Sequence, residues 1–217
     1  MVTSVSSSQS SQRRLKPCAA AAVVIVLWLA YTTLQTLSVM EMVGEGWSAM
    51  LGFLPGILGV AVLLAAGVSR EDCFLRLGRL SWQGLAVLAA VFVFALAAVL
   101  PVMEWRGWSW LQALVYAPAS GVSQELFFRA ALLPAMRLLA KKQAGLALVL
   151  HSVLFGLWHI GPLFLGAPLW AVIAVMLVPF LSGIGWGWQV QRDGTVVWAM
   201  VQHSLIWVIG MQFALPG

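Results

Sequence analysis

Glu125 and Arg129 stand four residues apart in the segment Gly121-Val122-Ser123-Gln124-Glu125-Leu126-Phe127-Phe128-Arg129-Ala130, whose surroundings are built for lipid. On a helix that spacing puts both on one face, with the carboxylate toward the N-terminus, ready for a charge-assisted hydrogen bond. Inserting an ionised side chain into a bilayer costs about 2.5–3.5 kcal/mol even on lenient scales. Such a pair is therefore either a working site or a self-neutralising contact that fixes helix packing. His151, Phe155 and His159 recur every four residues and form a stripe, in which two imidazoles have the chemistry to move protons or bind a metal. His151 reads as a packing histidine, whereas His159 sits beside Gly161-Pro162, where its helix must stop. His203 lies between Gln202 and Ser204; three polar neighbours cannot all face lipid, so that helix looks in part toward a polar cavity.

The elements that must carry these groups follow from composition. Of 217 residues, 62% are hydrophobic and 9% charged, with 12 Trp. A chain of that character satisfies its backbone in a membrane as helices or as a closed barrel, and its long unalternating apolar runs select helices. The expected fold is all-α, a polytopic transmembrane bundle of about seven spanning helices, with six to eight as the range. The spans are read at 18–40, 47–68, 82–103, 118–140, 144–160, 167–190 and 196–215. The Trp-rich stretch 105–117 reads either as an interfacial segment or as an outward extension of the fourth helix. Residues 1–17, Ser- and Gln-rich and closing on Arg13-Arg14-Leu15-Lys16-Pro17, read as a disordered cytoplasmic tail before a single transmembrane domain over 18–217.

Lys and Arg divide the connections into two sets. Arg13, Arg14 and Lys16, then Arg70, Arg76 and Arg79, then Arg137, Lys141 and Lys142, then Arg192 fall on alternate connections, and Arg106 lies in an opposite loop. By the positive-inside rule the N-terminus is cytoplasmic and the C-terminus outside, with Glu41, Glu45 and Glu104 on the outer side. The same distribution accounts for the net charge of +5 without nucleic acid as a partner. Cys18 and Cys73 have no metal-ligand spacing, and neither a P-loop nor a dinucleotide fingerprint is present, so no cofactor and no metal are expected. Glycines at 52 and 56, and at 183, 185 and 187, suit close helix crossings.

Three blocks in order, Gln124-Glu125-Leu126-Phe127-Phe128-Arg129, then Phe155-Gly156-Leu157-Trp158-His159, then His203-Ser204-Leu205-Ile206-Trp207, resemble the type II CAAX prenyl endopeptidase and bacteriocin-processing (CPBP) intramembrane proteases. The family's motifs are Glu-Glu-x-x-x-Arg, Phe-x-x-x-His and His-x-x-x-Asn. The resemblance places a protease-like core at about residues 115–215. It implies a glutamate-dependent hydrolase in which the first Glu and the second-motif His activate water and the third-motif His and Asn hold the oxyanion. This chain departs from the pattern with Gln at 124 and Trp at 207. A carboxamide is no base near neutral pH, and Glu125 lies about 100° around the helix from position 124.

The leading expectation is an intramembrane endopeptidase that cuts membrane-associated or C-terminal peptide segments. Glu125 with His159 activates water, Arg129 holds the carboxylate ionised, Gln124 orients water or the substrate amide, and His203 serves the oxyanion. A second expectation is a catalytically silent scaffold or chaperone on the same fold. A third has Glu125, His159 and His203 bind Zn²⁺, without a His-Glu-x-x-His signature to support it. The partners expected are the lipid bilayer and a peptide or membrane-anchored protein substrate, with the bacterial inner membrane as the location.

Overall fold

A computed structural model of the chain describes residues 15–44, 47, 50–79, 81–99 and 104–214. The tail expected over 1–17 lies outside these residues up to position 14, as do Arg13, Arg14 and Glu45. Pro17, expected in the tail, is instead the first residue of helix α1, Pro17–Val39. Proline is well placed there, because the first-turn N–H it lacks would have no partner in the helix. Helix α2 spans Phe53–Ala65, α3 Trp82–Val99, α4 Ala117–Phe127, α5 Leu133–Leu139, α6 Ala144–Leu157, α7 Leu169–Asp193 and α8 Val197–Gly210. The described chain is an all-α bundle of apolar helices, as its composition requires.

Lengths vary more than the sequence suggests. α1 and α7, with 23 and 25 residues, and the 22-residue stretch Ala144–Leu165 are long and apolar enough to cross a bilayer. α8, with 14 residues, is shorter than the span expected at 196–215, and within the span expected at 47–68 α2 takes 13 residues, with positions 47, 50 and 51 also helical. At about 1.5 Å per residue they rise about 20 Å, against a hydrocarbon core of about 30 Å. α7 stops at Gly194, whose φ of 69° gives the left-handed turn that ends a helix.

The fourth span runs as one continuous helical stretch from Trp110 to Leu139, so the extension outward applies from Trp110 on. Two π turns interrupt it, Gln112–Tyr116 and Phe128–Leu132. Each lies just before a proline, Pro118 and Pro134, whose ring would clash with the carbonyl four residues back in an α-helix; widening the preceding turn relieves that clash. Residues 106–109 are not helical. Glu104–Trp105 pairs antiparallel with Phe213–Ala214, and Gln212 Oε1 accepts from the Ser109 N–H at 2.8 Å.

The stretch Phe127–Met136 is buried on all sides, which makes this helix the axis of the bundle. Tyr31 of α1 meets Phe127, Phe128 and Trp158 at ring distances of 5.3, 6.0 and 5.0 Å, joining α1, the axial helix and α6. The connections gather at two ends. Leu75 bridges Thr195, so the α2–α3 and α7–α8 connections share one end. Val39 packs on Gly161, and Glu104–Trp105 on Phe213–Ala214, at the other.

Candidate active site

Helix α4 crosses α8 at Gly121. A Cβ there would come within 2.5 Å of both the backbone nitrogen and Oγ of Ser204, so the two backbones touch only because residue 121 is glycine. One turn further along α4 is Glu125, and beside Ser204 is His203. The close crossing sets these two side chains against each other.

Glu125 is fully buried. Its Oε1 accepts a hydrogen bond from His203 Nδ1 at 2.7 Å, and its Oε2 lies 3.1 Å from Arg129 Nε in an ion pair. The Arg129 guanidinium, also fully buried, sits over the Phe155 ring at 4.3 Å and near Trp186 at 5.4 Å. On the far side of His203, Trp207 Nε1 donates to its Nε2 at 3.0 Å. An indole nitrogen only donates, so Nε2 must carry the lone pair and Nδ1 the hydrogen. The result is a directed relay: Trp207 N–H to His203, His203 N–H to the Glu125 carboxylate, and the carboxylate against Arg129. Trp186 lies against the imidazole at a 31° tilt, ring centres 4.6 Å apart, and completes the box.

His159 is not part of this relay. Its Nδ1 donates to the Phe155 carbonyl at 3.0 Å, and the Phe155 ring lies 5.4 Å from His159 and 6.3 Å from His203. The partner of Glu125 is thus the third-motif imidazole, where the sequence suggested the second. Among the described residues no three His, Cys, Asp or Glu side chains converge as metal ligands. His151 is wholly buried against Gly187 of α7.

A cavity of about 500 Å³ opens beside the relay. Gln124 and Trp207 line it, with Ser120, Ser123 and Tyr116 from the axial helix. Helix α1 supplies Tyr31, Gln35 and Ser38 as a polar stripe, and Glu41, with a φ of 58°, and Gly44 stand where α1 ends. Gln124 Oε1 is buried without a hydrogen-bond partner among the described residues. Trp207 belongs to both the cavity wall and the relay, so its indole stands between the His203 Nε2 lone pair and the open space. Sequence reading missed the α1 stripe and Trp186. The four- and three-residue spacing of Tyr31, Gln35 and Ser38 was the available signal for the first.

An apolar helical bundle holding a glutamate, an arginine and two histidines among its helices belongs to the class of integral membrane proteins with an intramembrane polar site. Residues 105–209, which contain every one of those groups, match the model of the Type II CAAX prenyl endopeptidase Rce1-like family. It is a family of proteases with an intramembrane fold. No curated protein and no solved structure matches the chain.

Proposed function

We propose that this protein is an intramembrane endopeptidase that takes an extended segment of a membrane-anchored protein into the 500 Å³ cavity and hydrolyses one peptide bond there. The observation that carries the reading is the 2.7 Å bond between His203 and a fully buried carboxylate. When substrate displaces the Trp207 indole, the freed Nε2 takes a proton from water. The water oxygen bonds to the scissile carbonyl carbon, whose π electrons move to the oxygen. Glu125 steadies the imidazolium, as a carboxylate does in any carboxylate–imidazole dyad, and Arg129 pairs with the same carboxylate. The Gln124 amide donates to the oxyanion. Collapse breaks the C–N bond, and His203 returns its proton to the leaving amine.

His159 has its Nε2 free of any hydrogen bond among the described residues and is the competing base. Cleavage of a panel of membrane-anchored peptides by the reconstituted protein tests the assignment. His203→Ala and Glu125→Ala lower turnover by about 10²–10⁴, and His159→Ala by less. Unchanged cleavage in the first two variants rules the dyad out.

A second reading, a silent receptor that holds such a segment uncut, is favoured by Gln124 at the family's leading glutamate and by the indole that closes the dyad off. Binding without cleavage by the wild type, with cleavage switched on in Gln124→Glu, selects it. We place the protein in the bacterial inner membrane with the N-terminus cytoplasmic, on the alternation of basic connections. The cavity then opens outward, because Glu41, Gly44 and Met211 line it at the end away from those connections. A reporter inserted at Lys141–Lys142 that reads as external reverses this orientation.

A further inference from the structure

At the end of the bundle opposite the cavity, a second pocket of about 260 Å³ lies between the start of α1, the α2–α3 connection and the end of α5. Arg137 and Lys142 line it, with Asp72, Pro17 and Gly67. Among the described residues neither cation is in an ion pair. The Arg137 guanidinium also lies over the buried Phe74 ring at 5.7 Å, a cation–π contact that restricts its side chain. Asp72 is turned to its own loop, its Oδ2 accepting from Ser69 Oγ at 2.7 Å.

The turn that delivers Lys142 is strained. Lys141 and Lys142 take φ values of 50° and 67°, a left-handed conformation that glycine adopts freely and lysine does not. The Lys142 N–H donates to the Arg137 carbonyl at 2.8 Å, so the turn folds Lys142 back beside Arg137. The pocket adjoins the first turn of α1, whose positive dipole end also favours an anion.

We propose that this pocket binds a phosphate group, that of an anionic glycerophospholipid head group seated between the helices, with Arg137 and Lys142 on the phosphate oxygens. Juxtamembrane basic pockets between helices suit such head groups, and the apolar lining residues Leu138 and Val68 offer contact to the start of the acyl chains.

Native mass spectrometry of the full-length protein in mild detergent, titrated with phosphatidylglycerol, phosphatidylcholine or inorganic phosphate, tests it. The wild type retains one phosphatidylglycerol with about tenfold preference over phosphatidylcholine. Arg137→Gln/Lys142→Gln loses that preference, whereas Lys141→Gln, outside the pocket, keeps it. Asp72→Asn binds more tightly, a gain that misfolding cannot produce. An equal preference in the double variant, an equal loss in Lys141→Gln, or saturation by inorganic phosphate with no lipid preference overturns the proposal.

Discussion

At residue 125 a fully buried carboxyl group is held by one guanidinium and one imidazole N–H. Removing one partner of a buried pair strands the other, at a cost of about 3–5 kcal/mol. Arg129→Met should therefore lower the unfolding free energy in detergent by about that much, and Arg129→Met/Glu125→Gln should recover most of it by removing both charges. Full destabilisation in the double variant would assign the effect to packing on Phe155 and Trp186. Trp207→Phe deletes the one donor on His203 Nε2 and should cost about 1 kcal/mol of stability while raising peptide turnover, since the imidazole no longer has to be uncovered. Lower turnover would mean that the indole acts on the oxyanion more than it blocks the base. Most of these residues were legible in the sequence, because intramembrane charge is costly and draws notice wherever it occurs. The pairing was not: His159 and His203 carry the same signal, and spacing along one helix says nothing about which imidazole on another helix meets Glu125.

Elements meet through small residues. Gly121 lets α4 and α8 touch at Ser204, and Gly59 of α2 faces Ala131, where a Cβ would lie 2.8 Å from the Ala131 Cβ. Gly121→Ala must push α8 away, lengthening the bond between Glu125 and His203, and should cost about 1–3 kcal/mol together with most of any turnover. Gly145→Ala, on α6 with no atom within 4 Å of the added carbon, should be neutral or gain about 0.5 kcal/mol. Thermal unfolding and cleavage of both variants separate a crossing effect from a general intolerance of larger residues. The glycines at 56, 183 and 187 do sit at close approaches, against Leu126, Ser152 and Leu148. The two π turns were hidden, since Pro118 and Pro134 mark a disturbance in a helix without stating how the chain absorbs it.

For the whole molecule, two of the connections that the basic residues mark as one set, α2–α3 and α7–α8, meet at one end through the bridge between Leu75 and Thr195. Cys18, exposed, and Cys73, buried, both lie toward that end. Burial, with the Asp72 charge adding to it, pushes the Cys73 thiol up to about 11, so its thiolate is scarce at neutral pH. A membrane-impermeant maleimide at pH 7 should label Cys18 from the cytoplasmic side and leave Cys73 nearly untouched. Labelling of Cys18 from outside would invert the bundle, and fast labelling of Cys73 would mean that the α2–α3 connection is open.

Sequence by itself determined that this chain is a helical membrane protein, where most of its helices run, and which side chains are too costly in lipid to be idle. Those properties are local sums of hydrophobicity and charge, readable in one dimension. The tertiary structure alone decided that Glu125 faces His203 and not His159, that Trp207 closes the relay, and that α1 contributes a polar wall. Each depends on how helices distant in sequence cross, which is set by contacts such as Gly121 on Ser204 that no periodicity along a single helix encodes.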